Sequence, residues 1–223
     1  MRNRLFKIIN VLILMIITSC SGERENWQWI DTLPKPWLLS ETEVSNILPK
    51  FHQRFSNFEE RLKAIALWKI GTPYELFNLG EEVSPDTDPL IRLDVSDCTV
   101  HVLTTLSFAQ SKTWDEARKN IIKIHYKIDK NGNRIPTYQS RWHFTSDRIL
   151  SNPNTVNITN ELIDSSELEN IDITLNIKND GSELLEIDWS KKVQLSYISN
   201  TKINLEFLEK LPLVCGIAFV RRS

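Results

Sequence analysis

The apolar residues of this chain change period once, and that change limits the fold more than any other feature. Phe58, Leu62, Ile65 and Ile70, and then Val102, Leu103, Leu106 and Phe108, fall near helical spacing, whereas Ile171, Ile173, Leu175 and Ile177 alternate with polar residues. Helices first and strands last predicts an α+β fold, because a βαβ winding would interleave them. Local signals set the boundaries. A helix starts after Ser40, and a second follows the capping box Ser56-x-x-Glu59 and stops at Gly71-Thr72-Pro73. Residues 80–97 read as an acidic loop, and a helix opens at Asp97-Cys98. Thr113-x-x-Glu116 opens another helix through about Lys123. Asn131-Gly132 predicts a hairpin turn between His125–Ile128 and Arg134–Tyr138, and residues 140–150 read as an amphipathic helix. Val193–Ile198 is a further strand, Leu205–Leu211 a short helix and Val214–Val220 an apolar strand.

The N-terminus speaks to the compartment. Arg2, Arg4 and Lys7 precede an apolar run from Ile8 to Ile17, which is followed by Thr18-Ser19-Cys20. A basic start, a short apolar stretch and small residues before a cut form a signal peptide. The run is far shorter than the ~20 residues of a spanning helix. Ile17-Thr18-Ser19-Cys20 resembles the lipobox of bacterial lipoproteins, which implies that Cys20 is acylated and becomes the mature N-terminus. Ser21 in the next position implies an outer-membrane address, with the protein facing the periplasm. Several acyl chains give a stable membrane anchor. The organisation that follows is residues 1–20 as signal peptide, 21–39 as an extended linker rich in Trp and Pro, and 40–223 as one domain.

About 203 residues follow Cys20, enough for one ordinary domain with a full core. With 27 Lys+Arg against 29 Asp+Glu, no nucleic-acid footprint is present. Besides Cys20 there are two cysteines, Cys98 and Cys215, 117 positions apart. In an oxidising compartment they form a disulfide or one of them is a functional thiol. No CxxC or HExxH spacing occurs, so no metal site is expected.

Cys98 carries the sharpest chemistry. It follows Asp97, a capping residue, at the predicted start of a helix. The free N–H groups and dipole there favour the thiolate, which is the attacking form, so the position suits a nucleophile. A buried structural cysteine beside a cap is the plainer alternative. A nucleophile needs a base, and the histidines are His52, His101, His125 and His143. His101 lies one turn beyond Cys98, where same-helix pairs rarely aim at a substrate. His52 and His125 lie in amphipathic stretches. His143 sits in the polar and aromatic run Ser140-Arg141-Trp142-His143-Phe144, either as a base or hydrogen-bonded inside the fold. Tyr74, after Gly71-Thr72-Pro73, either donates to a substrate carbonyl or packs as a turn aromatic.

Together, Ile70-Gly71-Thr72-Pro73-Tyr74, Asp97-Cys98-Thr99-Val100 and Ser140-Arg141-Trp142-His143-Phe144 resemble a family of N-acetylmuramoyl-L-alanine amidases, grouped under a domain of unknown function and related to the NlpC/P60 cell-wall peptidases. The resemblance runs from about residue 59 to the C-terminus. It implies a papain-like core, with the nucleophile's helix packed on an antiparallel sheet. It also implies hydrolysis of an amide in peptidoglycan or its muropeptide fragments, without a cofactor. Cys98 would be the nucleophile, with Asp97 supporting its helix and Tyr74, Arg141 and His143 lining the cleft. The sequence departs from the family in two places. The acidic residue expected soon after the Cys motif is replaced by Leu103 and Thr104. The base histidine expected on a later strand is absent from Leu211–Ser223. His143 is then the base, or the reading frame is truncated, or the protein binds muropeptides without turning them over. An acyltransferase using the same nucleophile is a further reading.

Overall fold

The structure, a computed structural model, describes residues 24–220. The signal peptide over residues 1–20 and the lipid-bearing Cys20 lie outside those residues. The described chain is α+β, with α1 (residues 24–32), α2 (Glu41–Arg54), α3 (Phe58–Trp68), α4 (Cys98–Ala109) and α5 (Trp114–His125) first. α6 (Thr145–Ser151), α7 (Thr159–Leu162), β1 (Glu169–Leu175), β2 (Lys191–Tyr197) and α8 (Leu205–Glu209) follow.

Side-chain caps explain where the long helices begin. The Ser40 hydroxyl accepts from the Glu43 N–H, and the Glu43 carboxylate accepts from the Ser40 N–H at 2.8 Å. α3 is capped by Asn57 and not by Ser56: the Asn57 carbonyl accepts from the N–H groups of Glu59 and Glu60 at 2.8 and 3.1 Å. The Thr113 hydroxyl accepts from Glu116 N–H at 3.2 Å, and α5 runs to His125, slightly beyond the expected end at Lys123.

α4 is apolar around most of its circumference, which makes it a central helix and not a surface one. Val100, Leu103, Phe108 and Ala109 are buried, and α4 packs on α3 and α5 and less extensively on α2. Phe51, Ile65, Trp68 and Ile121 belong to the same cluster. Several of its buried polar atoms are matched: Ser107 Oγ donates to Ala117 O at 2.6 Å, and Arg61 donates to the carbonyls of Ala109 and Phe55, both at 2.8 Å, whereas Thr104 Oγ1 and Trp114 Nε1 have no hydrogen-bond partner among the described residues. Lys69, just after α3, is wholly buried, and its Nζ donates to His101 O at 3.1 Å and to Thr105 Oγ1 at 3.4 Å. Burial with no carboxylate against it pushes the Lys69 ammonium down to about 7.

The expectation of helices packed on a sheet is corrected here. The core is helix on helix, and the antiparallel ribbon, registered from Glu169–Tyr197 to Leu175–Lys191, packs on α6. Its two strands bury only Leu175 and Leu195, too little apolar surface to cover the helices. Four local expectations change as well. Residues 24–32 are helical and not extended: Trp27, Ile30 and Leu33 share one face against the core, with Trp27 4.8 Å from Phe55 and Trp29 5.0 Å from Phe51. The turn at Asn131-Gly132 forms, with Gly132 at φ +84°, but its flanks carry no strands. The Asp129 carboxylate accepts from Asn131 and Asn133 N–H, closing a local turn that has only the isolated Tyr126–Arg141 bridge behind it. Residues 214–220 are irregular, because no strand among the described residues pairs with them. Cys98 and Cys215 are free thiols, not a disulfide.

Candidate active site

Cys98 is the first residue of α4 and is exposed. Asp97, buried, caps the helix: its Oδ1 accepts from Val100 N–H at 2.7 Å, and its Oδ2 accepts from Phe77 N–H at 3.2 Å. The segment around Tyr74 runs alongside. Ser96 N–H donates to Pro73 O at 2.8 Å, and Tyr74 and Ser96 form a parallel bridge. Tyr74 is therefore a neighbour of Asp97 and Cys98, from which it is well separated in sequence. Tyr74 presents its ring to solvent at 74% exposure.

Phe77 went unnoticed in the sequence. It holds φ +59° and is 83% exposed. A left-handed backbone costs an L-residue roughly 1–2 kcal/mol, and the bond to Asp97 holds it there. An aromatic at such a position leaves no sequence signal, since the turn it belongs to forms only against Asp97.

Arg141 and His143 meet elsewhere, around Tyr138. The Arg141 guanidinium donates to both Glu81 oxygens at 2.7 Å and to Asp86 at 2.8 Å, and lies 5.2 Å over the Tyr138 ring. Burial disfavours its charge, but the hydrogen bonds to Glu81 and Asp86 outweigh that, so its proton is held more firmly than usual. These two carboxylates belong to the acidic loop, whose surplus of charge was the only sequence signal of a buried cation partner. The loop is tight at Gly80, where an added Cβ would lie 2.5 Å from Asp86 Oδ1 and 2.6 Å from Asp88 O. Tyr126 Oη closes it by donating to Gly80 O at 3.0 Å.

His143 Nε2 lies 2.6 Å from Tyr138 O, and the two rings meet edge-on at 4.6 Å. A carbonyl can only accept, so Nε2 carries the proton and Nδ1 is left as an acceptor. Burial, and then the charges of Arg141 and Lys127, pull the His143 imidazole below its ordinary value, so the ring is neutral at pH 7. His52 is bound to Ser111 O and His125 to Arg148. His101 lines a groove of about 500 Å³ with Lys63, Leu67, Ile70, Leu211 and Cys215. Among the described residues no histidine ring is hydrogen-bonded to Cys98. No cluster of His, Cys, Asp and Glu among them is placed to hold a metal ion, and no helix is long and apolar enough to cross a membrane.

No curated protein matches the chain. A solved Legionella pneumophila protein of the DUF1460 family shares the fold, with a TM-score of 0.58, 22% identity and cover of 77% of this chain and 70% of that one. Residues 64–222, well over half of the sequence, match the model of the AmiA-like family, described as N-acetylmuramoyl-L-alanine amidase-like, and the chain belongs to that family.

Proposed function

We propose that the chain is a cysteine amidase that cleaves the N-acetylmuramoyl-L-alanine bond of peptidoglycan fragments, with an NlpC/P60-like, papain-like active-site arrangement. The observation that carries this reading is an exposed cysteine opening a capped helix, with Tyr74 beside it, in a chain of an amidase-like family. Cys98 Sγ attacks the lactyl carbonyl carbon. The first-turn N–H groups of α4 are offered to the oxyanion, and Tyr74 to the substrate. The C–N bond breaks as a base passes the thiol proton to the departing amine. The stem peptide leaves, and water hydrolyses the muramoyl thioester. His143 is the proposed base: it is neutral at pH 7, and its free Nδ1 is oriented by the bond from Nε2 to Tyr138. Contacts of this kind often close only in the substrate complex. Arg141 supports the cleft by pinning the acidic loop. The test is digestion of defined muropeptides by the parent and by Cys98→Ala, read by mass spectrometry. Free stem peptide from the parent alone supports the amidase; equal product from both proteins ends it.

A second reading is a muropeptide-binding module of the same fold. It is favoured by the lack, among the described residues, of any histidine hydrogen-bonded to Cys98. Tight muropeptide binding without product from the parent identifies it.

We further infer that the protein is anchored by lipid on Cys20 and sits at the outer membrane facing the periplasm. The signal-peptide pattern and Ile17-Thr18-Ser19-Cys20 support this. Cys20→Ser is expected to move the protein from the membrane pellet to the soluble fraction. A variant that stays in the pellet, washed with high salt, defeats the anchor.

A further inference from the structure

We propose that Phe77 recognises the sugar of the substrate: its ring is the platform on which the muramoyl pyranose stacks while the scissile amide lies over Cys98. The inference rests on the amidase reading above.

Phe77 combines two features that are each unfavourable to the isolated fold. Its backbone is left-handed at φ +59°, a conformation that glycine or asparagine would adopt more easily. The residue is 83% exposed, so internal packing does not offset the strain. A bulky residue held in strain and turned to water has no role in the core. The backbone is fixed by Asp97, the residue before Cys98, through the 3.2 Å bond from Phe77 N–H. The ring therefore belongs to a short rigid segment beside the nucleophile. Tyr74 and Leu76 of the same segment are also exposed, with the Glu75 carboxylate between them, so the rim combines apolar side chains with a negative charge and presents no cation.

The chemistry of the rim selects the part of the ligand it fits. A stem peptide presents amides and carboxylates, which call for donors and cations, and a phenyl ring offers neither. A pyranose presents a face of C–H groups that lies flat on an aromatic ring, with its hydroxyls turned outward to water. Phe77 thus reads the sugar side of the scissile bond and leaves the peptide to polar groups.

The experiment measures binding by calorimetry on full-length protein in detergent, carrying Cys98→Ala so that no turnover occurs. The ligands are muramyl dipeptide and the same dipeptide without its sugar. The Cys98→Ala protein is expected to favour the sugar-bearing ligand by about tenfold, the upper end for one aromatic contact. Adding Phe77→Ala should shrink that preference to about twofold while dipeptide affinity stays within about twofold, and Phe77→Trp should retain it. Phe77→Gly should lose the preference yet melt no lower than its background, since it relieves the backbone. A sugar preference unchanged by Phe77→Ala, no preference to begin with, or an equal loss for both ligands overturns the assignment. Hydrolysis is measured separately with Cys98 intact, so an inactive parent defeats the amidase reading without touching this result.

Discussion

Arg141→Met is expected to lower the unfolding free energy by about 3–5 kcal/mol, the cost of leaving a buried carboxylate without its cation. The Glu81 side chain is 1% exposed, and Arg141 is its counterion, with a bidentate fork at 2.7 Å. Removing the guanidinium strands Glu81 beside Asp86, a second negative charge already facing the same place. The double variant Glu81→Gln/Arg141→Met should recover more than half of the loss, because neither new side chain needs a counterion. Urea titrations of parent, single and double variants check both statements through the midpoint at constant slope. A single variant that loses less than about 1 kcal/mol would mean that the pair behaves as a surface ion pair and does not pin the loop.

Lys69→Met is expected to flatten the pH dependence of stability between pH 7 and 10.5. In the folded protein the Lys69 ammonium is pushed down to about 7, against an ordinary value of 10.5. Between those limits the unfolded chain carries a proton there that the folded chain lacks, so stability climbs as pH rises through the window. Below pH 7 both states are protonated, above 10.5 neither is, and the contribution is level in each range. At about 1.4 kcal/mol per tenfold change in proton affinity, the window spans roughly 4–5 kcal/mol. The comparison with Lys69→Met cancels the other titrating groups, so the excess stability of the variant should grow as pH falls from 10.5 to 7 and then hold steady. Parallel curves for the two proteins across the window would show that Lys69 keeps its charge through contact with water.

Capping chemistry is local, and the sequence exposes it. Ser40, Thr113 and Asp97 each begin a helix where a side-chain oxygen stands ahead of an apolar run. Ser56 and Asn57 are both competent caps with a Glu three residues on, and local rules do not separate them. Trp27, Ile30 and Leu33 carry a helical period, but Pro34 and Pro36 next to them suggested an extended segment; those prolines stop the helix and do not prevent it. Val214–Val220 has the composition of a strand, yet a strand is defined by its partner, which composition does not name. The site divides in the same way. The Asp97 cap and the placing of Cys98 at the head of a helix were legible because the two residues are adjacent. Arg141 lines the cleft by family resemblance alone, and its bonds to Glu81 and Asp86, 60 and 55 positions upstream, were not legible because only the folded chain closes that distance.

Asp97 gives one oxygen to the first turn of α4 and the other to the loop at Phe77. A shared acceptor makes the two backbone segments thermodynamically linked. Each is ordered partly at the other's benefit, so a ligand that quiets the loop also quiets the turn that holds Cys98. Communication between the Phe77 loop and the head of α4 then needs no moving part, only a carboxylate with two lone-pair faces and two tenants.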